Sequence, residues 1–442
     1  MYQRLNKLVV LSSLLFALLL LVSCGSSGVG TIPSGTPDHG NGTPAVIPTP
    51  GTSPQPVSTL PSTATGNFYA FVRNNQLWVA LNGANPVQAT HFDFTNLPNV
   101  FWHQPLWSPD DRFITFIMNA QPAGLGGGGC PGPDYGANGA LYLLNTGTMR
   151  LTKLVVSADS GDALESSPVN GYWQYVFWQD STHLLAWYNG ITGKTSNTAG
   201  LYRYDLNSNT LSQVIPLSGL GVATLFGVQK GLPLLLSMRY SSGQLFYQVI
   251  VHAFEQQSQF IIYQRSVDHP EAPSSKVLEM GTEPWCDLQQ IAPYVKPGWD
   301  VSSDGEQLVA QMIIAGDSTS GIASISALNL KDGSTTALFA QASPQMLGHD
   351  LVLTWGPDNQ KVVAAQYHML SHDGPYSATL ANPAAMQQYT PNLSGQAAWR
   401  SDSSAFVLQS LDTTNASDLY LFVTGDMQGQ LLLTNVRDFV WG

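Results

Sequence analysis

Short apolar runs separated by turn residues recur along the chain from residue 67 onward. The clearest case is residues 107–116, where a tryptophan precedes a Ser-Pro-Asp-Asp segment and an apolar run. Pro109 presets the φ angle of a turn, and the side chains of Asp110 and Asp111 can accept hydrogen bonds from the turn backbone. The β-prone residues 113–116 follow, so the stretch predicts a strand, a tight turn and a second strand.

The same pattern returns four more times with variation. Each unit starts at a tryptophan, and the five are Trp107, Trp178, Trp299, Trp355 and Trp399. One such unit would be weak support for a repeat, but five on one chain predict a repeat architecture.

The two ends of the chain predict one further unit built from both. Residues 68–72, 76–80 and 86–90 are typical of three short strands, but no Trp-turn unit precedes them. The chain ends in residues 436–442, which match the opening of a unit that stops just after its tryptophan. A shared unit of this kind closes a ring and leaves no open sheet edge.

Counting the units, or blades, predicts an all-β propeller. Five Trp-led blades and the shared blade make six. The gap between Trp178 and Trp299 is 121 residues, about twice a blade of ~40–45 residues with its insertions. Residues 223–228, 232–237 and 245–251 can form one more blade without the tryptophan. We therefore expect a β-propeller of seven four-stranded blades, the N- and C-terminal strands sharing one blade, with six and eight blades as alternatives.

Two features of these blades together resemble a known repeat. The Trp-Ser-Pro-Asp segment and its apolar strand are followed by a Leu-Tyr-x-x-Asn/Asp strand, as at residues 141–145 and 201–205. Over residues 67–442 the chain resembles the WD40-like PD40 repeats of TolB-type propellers. The resemblance implies the fold and protein–protein work, and implies almost nothing about chemistry. The chain departs from the pattern in its fourth blade, in its long connections and in lacking TolB's extra N-terminal domain.

The N-terminus has the features of an export signal. Arg4 and Lys7 precede the apolar residues 8–22, a run too short for an ordinary membrane span. Leu-Val-Ser-Cys at residues 21–24 resembles the lipobox of bacterial lipoproteins, which implies cleavage before Cys24 and acylation of that residue. Multiple acyl chains hold a protein on a membrane better than one chain does. The alternatives are an uncleaved anchor and an ordinary signal peptide with a chance cysteine.

These features divide the chain into three parts. We expect a signal peptide at residues 1–23, a lipidated Cys24 with a disordered tether to residue 66, and a propeller at residues 67–442. The tether is expected because Gly, Ser, Thr and Pro dominate residues 25–66, which leaves too little apolar content for a core. The expected location is the bacterial cell envelope, on the extracytoplasmic side of a membrane.

The charge of the chain excludes one class of partner. Its net charge is −12, and charged residues make up only 10% of it. Nucleic-acid binding requires a basic surface that this composition does not supply.

The long connections are predicted to share one end of the blades. Connections between second and third strands and connections between blades emerge at one end, here called the loop face; the Ser-Pro-Asp turns lie at the other, the turn face. The long segments assigned to the loop face are residues 119–139, 157–171, 189–200, 266–297 and 368–376. Since loops carry function more often than scaffold does, a protein, peptide or glycan is expected to bind there.

Polar residues just before the leading tryptophans are predicted to ring the mouth of the axial channel. They are His103, Gln104, Gln174, Tyr175, Lys296, His349, Asp350, Gln396, Arg437 and Asp438. One interpretation is that any water-filled channel needs polar walls. The other is a site for a small ligand or a peptide terminus, with Arg437 or Lys296 facing an anionic group.

Cys130 and Cys286 are the other two cysteines. A disulfide between them is plausible in an exported protein, since both fall in long segments of the loop face. The alternative is two unpaired thiols, because neither has the spacing of a metal or redox motif.

No complete catalytic or metal motif is visible. His368 and His372 lie four residues apart, but the segment leaves a strand into a loop rather than forming a helix. We therefore expect no metal, no cofactor and a monomeric, non-catalytic binding module. The alternative is a propeller enzyme of the lactonase, lyase or quinone-dependent dehydrogenase type, with a metal at the channel mouth.

Overall fold

The structure is a computed structural model whose described residues are 68–81, 84–93, 99–121, 140–154, 171–190, 198–223, 232–251, 258–283, 298–313, 323–339, 351–366, 375–390, 393–409 and 417–442. All of them belong to one compact unit. The chain forms a seven-bladed β-propeller of antiparallel four-stranded blades. Both the fold class and the blade number predicted from the sequence are confirmed.

The blades are numbered from the one that holds the first described residue, and their strands are given from the centre of the ring outward. Blade 1 comprises the second half of β27 with β1 (Phe68–Arg73), β2 (Gln76–Leu81) and β3 (Val87–Gln88). Blade 2 comprises β4 (Asn99–Trp107), β5 (Phe113–Gln121), β6 (Ala140–Asn145) and β7 (Arg150–Leu154). Blade 3 comprises β8 (Gly171–Trp178), β9 (His183–Gly190), β10 (Gly200–Asp205) and β11 (Thr210–Pro216), followed by the short helix α1 (Leu217–Leu220).

The remaining blades follow the same order. Blade 4 comprises β12 (Leu234–Ser241), β13 (Gln244–Val251), β14 (Ser258–Ser266) and β15 (Ser275–Glu283). Blade 5 comprises β16 (Trp299–Val301), β17 (Gln307–Ile313), β18 (Ala323–Asn329) and β19 (Thr335–Leu338). Blade 6 comprises β20 (Leu351–Trp355), β21 (Lys361–Gln366), β22 (Tyr376–Thr379) and β23 (Asn382–Gln388). Blade 7 comprises β24 (Ser394–Trp399), β25 (Ala405–Gln409), β26 (Ser417–Val423) and the first half of β27 (Gln430–Trp441).

Strand β27 closes the ring. Its first half pairs with β26, where Gln430 lies opposite Leu421. Its second half pairs with β1, where Trp441 lies opposite Tyr69, and the backbone N–H of Gly442 donates to the carbonyl of Phe68 at 2.9 Å. The shared blade predicted from the two ends of the chain is therefore confirmed.

The repeated Asp in each turn has a direct structural reason. In the turn after β4, the N–H of Asp111 donates to the carbonyl of Ser108 at 2.9 Å, and the Asp110 carboxylate accepts from the N–H of Arg112 at 3.3 Å. Asp304, Asp358 and Asp402 each accept in the same way from the N–H two residues later. An Asp side chain that satisfies its own turn backbone favours that turn over continued strand.

The tryptophan of the repeat does not hold the same position in every blade. Trp107, Trp178, Trp355, Trp399 and Trp441 each end the innermost strand of their blade. In blade 4 this position is Tyr240, opposite Leu245, and in blade 5 it is Val301, opposite Leu308. Trp299 lies two residues earlier, opposite Ala310, so its assignment as a repeat tryptophan is wrong in register.

Blade 4 also corrects the assignment of one long connection. Residues 266–297 were expected to join two blades, but β15 occupies Ser275–Glu283 and is the outermost strand of blade 4. Of the strands expected there, residues 245–251 match β13, and 232–237 overlap β12; Ala223 makes only an isolated bridge to Leu234. Lys276 and Glu279 on β15 are exposed, as expected for an outer strand that faces water.

The core is divided among the interfaces between neighbouring blades. Seven apolar clusters are found among the described residues, and each joins two adjacent blades. Blades 1 and 2, for example, bury Val79 against Trp107 and Phe116. Large apolar side chains therefore pack between the sheets of neighbouring blades.

Candidate functional site

The two faces of the propeller differ in how their connections are built. The strand order places residues 122–139 between β5 and β6, residues 155–170 between blades 2 and 3, and residues 284–297 between blades 4 and 5. All three connections lie at the loop face, and their residues are outside the described ranges. Shorter undescribed connections at 191–197 and 367–374 join second to third strands at the same face.

Short turns on the turn face are joined to one another by hydrogen bonds between blades. The Ser241 hydroxyl of blade 4 donates to the carbonyl of Ser302 in blade 5 at 2.8 Å. Both the N–H and the hydroxyl of Ser303 donate to the Asn359 side-chain oxygen of blade 6 at 2.9 Å. The N–H of Asp358 donates to the Ser403 hydroxyl of blade 7 at 2.9 Å. This face is therefore an interlocked scaffold along blades 4 to 7.

One longer connection on the turn face was not expected. Residues 267–274 join β14 to β15, and Arg265, which is 8% exposed, holds them by donating to the carbonyl of Pro270. Arg265 also donates to the carbonyl of Gly219 in α1. The Asp268 carboxylate lies 3.3 Å from both Arg203 and Gln179 of blade 3. The connection thus fastens blade 3 to blade 4 and is held by polar contacts along its length.

Two of the predicted channel-mouth residues, Gln174 and Tyr175, lie in a buried hydrogen-bond network. Both are buried. The Gln174 amide donates to the Tyr175 hydroxyl at 3.2 Å and accepts from Asn189, which in turn accepts from the Trp187 indole at 2.7 Å. The Tyr175 hydroxyl donates to the carbonyl of Leu236 in blade 4 at 2.8 Å. Their polar atoms form a relay that joins blades 3 and 4.

The other predicted mouth residues are described to different extents. Gln396 is exposed on β24, and Asp438 is half-buried on β27 with a positive φ of 52°. His103, Gln104 and Arg437 lie on inner strands, but their side chains are outside the described part of the structure. The residues wholly outside the described ranges are Lys296, His349 and Asp350 of the mouth, together with Cys24, Cys130 and Cys286. Their predicted roles stay predictions.

A buried ion pair on the inner strands was missed by the sequence analysis. Arg239 Nε lies 3.3 Å from Asp300 Oδ1, and the guanidinium stacks over the Trp299 ring with 5.5 Å to its centroid. Asp300 Oδ2 accepts from the backbone N–H of Trp355 at 2.9 Å. One carboxylate therefore links the innermost strands of blades 4, 5 and 6.

Burial governs the electrostatics of that pair. It raises the pKa of the Asp300 carboxyl, because the charged form loses its water, and the positive charge of Arg239 opposes the rise. The equivalent position in the neighbouring blade 6 is Thr354, whose hydroxyl is buried without a hydrogen-bond partner. Arg239 and Asp300 hold the same position in their blades, one residue before the end position that a tryptophan occupies in other blades: Arg239 precedes Tyr240, and Asp300 precedes Val301. This shared position could have suggested the ion pair from the sequence.

An exposed carboxylate on the turn face behaves in the opposite way. Although partial burial raises the pKa of the Asp180 carboxyl, hydrogen bonds from Thr182 and His183 outweigh it and lower that pKa to about 2. The His183 ring lies 2.8 Å from Asp180 Oδ2. Asp180 is thus a turn residue held in its charged form.

Two further kinds of feature are absent from the described residues. Within those ranges no three His, Cys, Asp or Glu side chains come together as metal ligands would. No helix in the same ranges is long and apolar enough to span a membrane.

Comparison with known proteins bears on the fold. No family model and no curated protein sequence matches the chain. Several solved β-propeller structures are similar to it in fold. TolB from Acinetobacter baumannii shares 11% identity at a TM-score of 0.40, over 85% of this chain and 65% of its own. The β-propeller domain of the Trilobed protease from Pyrococcus furiosus shares 12% identity at a TM-score of 0.46, over 84% of this chain and 96% of its own.

An enzyme is among the similar structures as well. Oligogalacturonate lyase from Vibrio parahaemolyticus shares 13% identity at a TM-score of 0.43, over 83% of this chain and 85% of its own. The chain spans slightly less than two thirds of the length of TolB. All three structures are less than 25% identical to the chain, so the likeness concerns the fold alone.

Proposed function

We propose that this protein is a bacterial lipoprotein whose propeller is a non-catalytic binding module. Cys24 carries the lipid anchor, residues 25–66 form the tether, and the monomeric propeller binds a protein, peptide or glycan at its loop face. The observation that carries the proposal is the unequal distribution of connections between the two faces.

The turn face supports this division of labour because its described connections are committed to structure. Ser303, Asp358 and Asp268 all use their polar groups in contacts between blades. The loop face receives connections as long as residues 122–139 and 155–170, which the ring does not need in order to close. Long connections on a rigid scaffold are where binding residues concentrate.

The anchor is tested by replacing the proposed acylation site. Cells that make the wild-type chain or the Cys24→Ser variant are supplied with a radiolabelled fatty acid. We expect label on the wild-type chain alone. Label on both chains, or on neither, would contradict lipidation at Cys24.

The binding face is tested by shortening one connection on each side. In one variant an Asn-Gly turn replaces residues 122–139; in the control it replaces residues 331–333, an exposed turn between β18 and β19 on the turn face. Cross-linking in intact cells followed by mass spectrometry should lose the partner in the first variant and keep it in the control. Loss in the control alone would place binding on the turn face and refute the proposal.

A further inference from the structure

The most exposed apolar side chains of the described residues are concentrated in blade 7. Val423 is 40% exposed, Met427 51% and Leu431 49%, and all three fall within the nine residues that end β26, turn and begin β27. The one other large apolar side chain exposed to this extent in the described ranges is Leu232, at 42%. The register, with Leu431 opposite Tyr420, puts Val423 and Leu431 on opposite sides of the hairpin, so that together with Met427 they surround its tip. Exposed apolar side chains concentrated at one tip favour contact with another surface.

This apolar turn belongs to the turn face. The N–H of Thr424 donates to the carbonyl of Ser404 at 2.7 Å, and the Thr424 hydroxyl donates to the carbonyl of Ser403 at 2.8 Å. Both acceptors lie in the Asp402 turn between β24 and β25. The segment that carries Val423 is thus fastened to the inner turn of its own blade.

A continuous series of contacts leads from this turn to the point where the chain enters the propeller. Arg400, at the start of the Asp402 turn, lies over the Trp441 ring of blade 1 at 5.7 Å. The next residue, Gly442, donates its N–H to the carbonyl of Phe68, the first described residue. The 67 residues that precede Phe68 therefore join the propeller on the face that carries the apolar turn.

The apolar turn is almost free of charge. Between residues 423 and 431 the only charged side chain is Asp426, whose carboxylate accepts from the N–H of Gln428 at 2.9 Å. Lys361 lies beside the turn, with its ammonium 3.3 Å from the Thr424 hydroxyl. On a chain of net charge −12, a neutral apolar turn fits the boundary between lipid headgroups and acyl chains, where apolar side chains are buried and few charges are displaced.

We propose that the turn face rests on the membrane, with Val423, Met427 and Leu431 inserted at the headgroup level. This inference rests on the proposed lipid anchor. Three side chains alone bind a bilayer weakly, but the proposed tether of residues 25–66 keeps the propeller near the bilayer and raises its effective concentration there. Weak contact is then populated, and the loop face points away from the membrane toward its partner.

The experiment is neutron reflectometry of the full-length lipidated chain on a supported phosphatidylcholine bilayer. It compares the wild type with Met427→Asp/Leu431→Asp, and with Leu232→Asp as the matched control at an exposed apolar site on the connection that enters blade 4. Circular dichroism first establishes that all three chains are folded. The measured quantity is the thickness of the water layer between the headgroups and the protein.

We expect protein density to begin at the headgroups for the wild type and the control, and a water layer to separate them in the double variant. Equal profiles for all three chains overturn the inference while leaving the anchor intact. If a buffer wash removes all three chains from the bilayer, the proposed lipid anchor is contradicted, and the proposed membrane contact, which depends on it, is contradicted as well. The two failures are therefore distinguishable.

Discussion

The seam that closes the ring and the seams between blades 4, 5 and 6 differ in the contacts that they add to the apolar packing between blades. At the closure, Tyr69 stacks on Phe439 at 5.8 Å, and Phe439 meets Trp441 edge-on at 4.8 Å. Between blades 4, 5 and 6, apolar clusters of the same kind are supplemented by the Arg239–Asp300 pair and by the hydrogen bonds of the turns. Blades 4 to 6 are joined by the chain itself, whereas blade 1 is assembled from two distant segments.

The contacts added at each seam suit the way in which the chain already connects the blades there. Aromatic burial supplies much free energy with little dependence on exact geometry, which suits a seam that must hold separate segments together. Polar pairs gain less net free energy but have strict geometry. They suit blades already tethered by the chain, where the remaining task is to fix the register of one blade against the next.

The strongest way to break the closure is to delete residues 437–442. This removes the innermost strand of blade 1 and exposes the edge of β1, so the loss should exceed the total stability of an ordinary domain, about 5–15 kcal/mol. We expect no cooperative thermal transition by circular dichroism. Deleting six residues from the proposed tether, 52–57, is the control and should leave the transition unchanged.

A single substitution at the same seam should have the next largest effect. Trp441→Ala removes a buried ring that contacts Tyr69, Phe439 and Arg400. Truncations of this kind cost about 3–5 kcal/mol, measured by urea unfolding. Trp441→Phe keeps part of the ring and should cost less than half as much; equal costs for the two would show that packing does not hold the closure.

Asp300→Ala tests the polar seam. It leaves Arg239 without its carboxylate and the N–H of Trp355 without its acceptor, so unfolding free energy should fall by about 3 kcal/mol. The double variant Asp300→Leu/Arg239→Met removes both charges and should recover a large part of that loss. The single variants Asp300→Leu and Arg239→Met complete the cycle, and a double variant as unstable as their sum in urea unfolding would show that the pair is not coupled.

The Asp300 carboxyl should also make the free energy of unfolding depend on pH. Because the folded-state pKa of Asp300 is raised, the folded state binds its proton more tightly, and this group's contribution to stability falls as pH rises from about 4 through that raised pKa. Asp300→Asn should remove that fall. Unfolding free energies measured between pH 4 and 8 check it.

Asp180 should show the opposite sign. Its folded-state pKa is lowered to about 2 from 3.8, so its contribution is present above pH 3.8 and is lost as pH falls toward 2. Asp180→Asn should remove this acid-side loss while leaving the slope at neutral pH unchanged. The effect is expected to be small because the side chain is half exposed to solvent, which screens it.

How much the sequence could predict depended on whether the partners of a residue are local. Asp110 bonds the turn that follows it, so the spacing from tryptophan to Asp identified the repeat even though Trp107 itself packs between blades 1 and 2. Trp299 misled because the repeat aromatic and its Asp are normally three residues apart, whereas Trp299 and Asp304 are five apart. That excess of two equals its displacement in the strand register.

The candidate site was less predictable because its contacts cross between blades. Counting back from each tryptophan found Gln174 and Tyr175, but the acceptor of the Tyr175 hydroxyl, the carbonyl of Leu236, lies 61 residues later and in another blade. Asp300 was passed over for the same reason, since Arg239 and Trp355 are each far from it along the chain. Sequence spacing alone does not show which side chains adjacent blades bring together.

The place where the chain enters has a mechanical consequence. Strand β1 starts at Phe68 on the turn face, runs toward the loop face, and is paired along its length with β2 on one side and β27 on the other. A pull on the chain before Phe68, resisted by a partner held at the loop face, acts along β1. Both ladders of hydrogen bonds then carry the load at once in shear, rather than breaking one bond at a time.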